Sequence, residues 1–287
     1  MPGVIFAVPC FVVMSFFLSW TIFDNLDTAR LYNRIGKLVL PFVTWGFISY
    51  LIAIVTGDRA GIEPLLWQLS LGHATCTPLY YLFDVTVIII ILFVIRKCFS
   101  LQLFLVVSAF LAVICLYAQY SGLNYYIFGS LPFEASYPLG RIAELFPNAV
   151  AGFILASINR KGWLRIIIGV ILVGTGLLMV SPCRVSSQFG YSGLAPLFVA
   201  SGLVLLATTW TVSPRHFSWL YVLSSTTAGI YYIHCIVGVV LTHLGYGSYL
   251  LVLLVSFLIV LLGLHLPGFY MLFNGRRPVL RNVNGQK

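Results

Sequence analysis

Nine apolar runs, each about as long as a helix that crosses a bilayer, follow one another along the chain: 3–23, 38–55, 79–95, 100–118, 142–158, 163–180, 195–212, 226–243 and 248–270. A hydrocarbon core about 30 Å thick takes about 20 residues of α-helix. The sequence therefore predicts an all-α polytopic membrane protein with nine transmembrane helices, as a single domain over 1–274 followed by a short basic tail over 275–287. Only 8% of the 287 residues are charged, where a soluble chain carries about a quarter. A net charge of +9 would suggest nucleic acid in a soluble protein. Here the bilayer is the partner, and no nucleic acid is expected.

The basic residues collect in alternate loops. Assigning every second loop to the cytoplasm places Arg30, Arg34, Lys37, Arg96, Lys97, Arg160, Lys161, Arg165, Arg215, Arg276, Arg277, Arg281 and Lys287 inside, and Arg59, Arg141 and Arg184 outside. By the positive-inside rule, that distribution puts the C-terminus in the cytoplasm. The first span then begins on the outer side, directly after Met1-Pro2, with no basic leader. A further helix before Met1 would bring both termini to the cytoplasmic face. An uncharged N-terminus that crosses by itself is the alternative.

Between the first two runs lies Arg30-Leu-Tyr-Asn-Arg34-Ile-Gly-Lys37-Leu-Val-Leu-Pro41, a cationic hinge that must sit at a membrane face. If Arg34 opens the next helix, Lys37 at i+3 and Arg30 at i−4 share its side, and three cations together can hold a polyanion. The same residues also serve simply to orient the chain.

Some polar side chains stand where hydrocarbon should exclude them. Asp84 falls in the third run, Arg141 and Glu144 at the outer end of the fifth, His234 in the middle of the eighth and His265 in the last. A charge near the bilayer centre costs about 2.5–3.5 kcal/mol on insertion scales, so such residues face a cavity or a partner. Arg141 and Glu144, three apart, can form a plain intrahelical ion pair. His234 either bonds a neighbouring helix or exchanges a proton. His73, in the outer loop, is able to act as a base near neutral pH without any shift. The loop over 119–139 is rich in aromatics that suit a sugar ring or a membrane interface. Cys76 and Cys183 fall in outer loops where an oxidising compartment would allow a disulfide. No spacing suggests a metal site.

Five segments in order resemble the acyltransferase-3 family of integral membrane acyltransferases, which modify surface polysaccharides. Val8-Pro9-Cys-Phe11-Val-Val-Met-Ser15-Phe16 is similar to the family's Val-Pro-hydrophobic-Phe-Phe-x-x-Ser-Gly segment. Arg34-Ile-Gly-Lys37, then Pro41-Phe42 and Trp45, resembles its Arg-x-x-Arg followed by Pro and an aromatic. Pro78-Leu79-Tyr80-Tyr81-Leu82 resembles its Leu-Trp-Phe-Leu element, Leu145-Phe-Pro147-Asn-Ala-Val-Ala-Gly152 its Pro-x-x-x-x-Gly helix, and Gly229-Ile230-Tyr231-Tyr232-Ile233-His234 its Gly-Ile-Tyr-Leu-x-His signature. Phe16 stands where the family often has Gly, Lys37 where a second Arg is usual, and Tyr80-Tyr81 where Trp-Phe is. The resemblance makes the nine runs equivalent to helices two to ten of a ten-helix family bundle. The usual first helix, which carries a basic residue and a histidine, has no counterpart in this sequence.

What the resemblance implies is transfer of an acyl group, acetyl in the first instance, from acyl-CoA on the cytoplasmic side to a hydroxyl of a surface glycan or its lipid-linked precursor, in the inner membrane. Arg30, Arg34 and Lys37 would pair with the phosphates of acetyl-CoA. His234 or His73 would take the hydroxyl proton, and Tyr231, Tyr80 or Tyr81 would donate to the developing oxyanion. A catalytically inactive relative without its first helix, or a transporter of small solutes or lipid-linked glycans, would share the helical pattern. The charge asymmetry predicts that an impermeant thiol reagent added outside intact cells labels Ala60→Cys and spares Asn33→Cys. The opposite pattern would invert the topology.

Overall fold

Apolar length alone places the helices closely. The computed structural model describes residues 7–56, 80–121, 123, 133–158, 163–179, 193–209, 218–246 and 248–266. Among them are nine helices and no strand: α1 Ala7–Asp24, α2 Thr28–Thr56, α3 Tyr80–Cys98, α4 Leu101–Tyr120, α5 Phe133–Ser157, α6 Trp163–Met179, α7 Leu194–Thr209, α8 Ser218–His243 and α9 Tyr249–His265. Four stretches, Ala7–Asp24, Thr28–Ile52, Leu101–Tyr120 and Pro138–Ser157, are long and apolar enough to cross a membrane. The outward faces are apolar too: along α4, Val106 and Phe110 are each 64% exposed, with Val113 and Tyr117 beside them. Water would not tolerate such a surface, and lipid requires it.

Three helices, α2, α5 and α8, begin well before their apolar runs. The segment Arg30 to Pro41 is not a hinge but the first half of α2, so the break lies at residues 25–27. There the Asp27 amide donates to the Ile22 carbonyl at 3.0 Å, closing the last turn of α1 with Leu26 in the left-handed region at φ 50°. Such a closure usually takes Gly at that position. The Asp27 carboxylate in turn accepts from the Arg30 amide at 2.9 Å, the N-cap bond of α2. Likewise α5 starts at Phe133, so Phe133–Leu139 is helical rather than part of the outer loop, and Arg141 and Glu144 lie two to three turns inside the helix. The polar and proline residues of the α2 and α5 starts mask them in an apolar-run reading.

The helices form two compact units. One comprises Met1–Ile35 with Phe83–Thr211, the other Gly36–Leu82 with Val212–Lys287. In the first, α5 is central: α1, α4 and α7 pack on it, and α6 packs on α7. An aromatic cluster fills the middle. Phe16, Trp20 and Phe23 recur on one face of α1 around Phe153, at centroid distances of 5.2, 6.2 and 4.3 Å, and Phe104 of α4 closes it at 5.8 Å. In the second unit α8 packs on α9.

Helix ends assigned by charge to the same side meet. Arg96 at the end of α3 donates to the Phe23 carbonyl of α1 at 3.0 Å and to the Phe99 carbonyl at 2.9 Å, meeting backbone acceptors left over by two helix C-termini. At the opposite ends, Gln119 of α4 donates to the Ala143 carbonyl and accepts from the Gly193 amide, while the Tyr120 hydroxyl accepts from the Leu194 amide. The start of α7 is thereby capped by α4.

The α6–α7 contact is backbone on backbone. A Cβ placed on Gly202 would lie 2.6 Å from the Gly169 carbonyl oxygen, and one on Gly176 2.9 Å from that of Ala195. Small residues allow the close approach that packs helices in lipid. Gly202→Ala should therefore cost about 1–3 kcal/mol by overpacking, whereas Gly174→Ala, with nothing within 4 Å, should be neutral or slightly stabilising. Thermal unfolding of the two variants in detergent checks the difference.

Candidate functional site

The turn at Asp27 lays the start of α2 back along α1. Arg34 thereby reaches α1, where its Nη2 donates to Ser15 Oγ at 2.7 Å. Arg30 pairs with Asp27 at 3.0 Å and keeps its side chain 62% exposed, while Arg34 and Lys37 are half-buried. At i, i+4 and i+7 of one helix the three cations form a stripe. Pro41, one turn beyond Lys37, lies within the same helix rather than at its start.

His234 lies in α8, half-buried, with Nδ1 3.2 Å from the Ile230 carbonyl one turn back. A carbonyl only accepts, so in this contact Nδ1 is the donor. Tyr232 and Ile233 beside it are buried, so this turn of α8 faces protein rather than lipid. Tyr231 lies three residues before His234 on the same helix, but its side chain falls outside the described residues, as do His265's side chain, His73, Cys76, Cys183 and the basic tail.

Three of the motif segments meet in the first unit. Ser15, from the first segment, accepts from Arg34 of the second. Gly152, from the fourth, lets the α1 backbone approach so closely that a Cβ there would lie 3.0 Å from both Phe16 Cβ and the Phe17 amide nitrogen. Phe16, the departure from the usual Gly, is fully buried edge-on against Phe153. A family model described as an acyltransferase domain matches residues 3–270. The chain belongs to the acyltransferase-3 family. No curated protein and no solved structure matches it. Membership makes it a membrane acyltransferase and accounts for the order of the five segments.

The acyltransferase also holds a polar core whose partners the sequence did not reveal. Arg141 of α5 grips Asp84 of α3 with two parallel bonds, Nε to Oδ2 and Nη2 to Oδ1, both at 3.0 Å, with the side chains 2% and 0% exposed. The bidentate fork is the strong form of such a pair. An intrahelical pair of Arg141 with Glu144 is therefore not what holds the arginine. Fifty-seven residues separate the true partners, and the only signal in the sequence was a charge within the third run at Asp84 and another at the outer end of the fifth at Arg141. Removing one partner of a buried pair typically costs about 3–5 kcal/mol, whereas replacing both with apolar residues is often neutral. Asp84→Leu and Arg141→Met should each lower the unfolding temperature sharply, and the double variant should recover most of the loss. A double variant as unstable as the singles would show that the pair does more than neutralise itself.

Proposed function

We propose that this acyltransferase moves an acyl group, acetyl in the first instance, from acyl-CoA on the cytoplasmic side of the inner membrane to a hydroxyl of a surface glycan or its lipid-linked precursor. The observation that carries the reading is the bond from Arg34 to Ser15, which ties the cationic stripe of α2 to the family-like segment of α1. A stripe of Arg30, Arg34 and Lys37 suits a ligand with several phosphates, and the planar guanidinium of Arg34 suits phosphate better than an ammonium does. The side of the membrane follows from the charge asymmetry. His234, in the family-like segment of α8, is the candidate for taking the hydroxyl proton, with His73 as the outer-loop alternative. Tyr231 is the candidate donor to the oxyanion of the tetrahedral intermediate. As the hydroxyl oxygen attacks the thioester carbonyl, its proton passes to the histidine. Collapse of the intermediate expels the CoA thiolate, which is then protonated.

Arg34→Ala should raise the half-saturating acetyl-CoA concentration strongly, each charged hydrogen bond to phosphate contributing about 1.5–3 kcal/mol. Arg34→Lys should fall between Arg34→Ala and the parent, and Ser15→Ala should have a small effect. Arg96→Ala should reduce stability rather than donor affinity, because Arg96 binds helix-end carbonyls. His234→Gln should fold and lose transfer. Equal donor affinity in all these variants would reduce the stripe to an orientation signal, and a fully active His234→Gln would leave the histidine a purely structural residue.

A further inference from the structure

One oxygen of a buried carboxyl group has no hydrogen-bond partner in the described fold. Glu144 of α5 is 7% exposed and its Oε2 has no hydrogen-bond partner. One turn on, Asn148 is 2% exposed and its Oδ1 likewise accepts from nothing. The two lie on one stripe of the helix with Arg141, at i, i+3 and i+7, but Arg141 gives Nε and Nη2 to Asp84. On α4, which packs against α5, Ser108 is 1% exposed and its Oγ is also without a partner. Ser108 shares a helix face with Phe104, whose ring contacts Phe153 of α5 at 5.8 Å, so this serine faces α5. Other buried serines behave differently: Ser19, Ser49 and Ser256 each donate to the carbonyl four residues back.

A carboxylate left alone among apolar helices is costly, and intramembrane ionisable groups mark functional sites. The chemistry of the missing partner follows from the atoms. Glu144 Oε2 and Asn148 Oδ1 are acceptors, so the partner must donate. A phosphate would be repelled by the carboxylate, and the hard divalent cations need more oxygen ligands than two side chains supply. A neutral hydroxyl donates one bond to each acceptor, and a polyol offers adjacent hydroxyls to residues one turn apart. The Ser108 hydroxyl on the facing helix both donates and accepts.

We propose that Glu144 and Asn148, with Ser108 opposite, form a hydroxyl-binding subsite within the first unit that receives the polyol acceptor of acyl transfer. The word acceptor rests on the acyl-transfer reading, whereas polyol binding at Glu144 does not. Water is the other source of a hydroxyl donor, and it gives a different experimental result.

The test uses the intact protein in lipid vesicles, and its decisive comparison, wild type with and without a polyol, needs no variant to fold. Dicyclohexylcarbodiimide, which enters hydrocarbon and modifies buried carboxyl groups through the protonated form with which the carboxylate exchanges, is applied with and without glucose, galactose, N-acetylglucosamine or glycerol. Modified residues are mapped by peptide mass spectrometry. The expected result is labelling of Glu144 that falls when at least one sugar is present, with Asn148→Ala raising the half-protecting concentration about tenfold. Labelling of Glu144 that no polyol alters would assign the site to water alone and overturn the proposal, as would a Glu144 the reagent never reaches. Acetyl transfer from acetyl-CoA, measured in the same vesicles, separates the two readings. Sugar protection without transfer leaves the subsite standing and removes the acyl-transfer reading, and transfer without protection does the reverse.

Discussion

Hydrocarbon offers an unpaired polar group nothing to bond to, and the whole architecture answers that constraint. The backbone meets it by being helical over most of the described residues. Helix ends meet it in particular ways: Asp27 finishes α1 and caps α2, Arg96 takes the carbonyls of Phe23 and Phe99, and Gln119 with Tyr120 covers the start of α7. Buried hydroxyls at Ser19, Ser49 and Ser256 meet it by donating back to their own helix. Because lipid also removes most of the hydrophobic force between helices, close contact must do the packing. Hence the glycines of α6 and α7, and Gly152 against α1.

The same constraint sorts the charged residues by role. Asp84 and Arg141 satisfy one another through two bonds and need no ligand to explain them. Arg96 serves helix ends. Arg34 stands between these cases, since it holds Ser15 yet belongs to a stripe of three cations on α2. Glu144 and Asn148 are left with acceptor atoms that the described protein does not use. In water such orphans would be solvated and uninformative. Within a helix bundle they point to what else must enter.

The departures from the family pattern have local physical accounts. Phe16 in place of a small residue does not obstruct α1, because its ring turns edge-on into the space beside Phe153 while Gly152 admits the backbone. Lys37 in place of an arginine keeps a cation on the stripe but gives up the planar fork, which leaves Arg34 as the geometrically specific member.

Sequence by itself determined the all-α membrane fold and the succession of helices among the described residues, because a bilayer imposes one length on every crossing and an apolar run of that length has one way to satisfy its backbone. It also carried the family resemblance and the candidate cations, since these are local patterns along one helix. It missed the starts of α2, α5 and α8, where Thr28–Lys37, Phe133–Arg141 and 218–225 mix polar, charged or proline residues into the helix. Only the tertiary structure decided that Arg141 belongs to Asp84 rather than to Glu144, that Arg34 reaches Ser15, and that Glu144 is left over. The reason is geometric. A side chain's spacing along its own helix is written in the chain, but the helix it faces depends on how closely every backbone can approach every other, and no local pattern contains that.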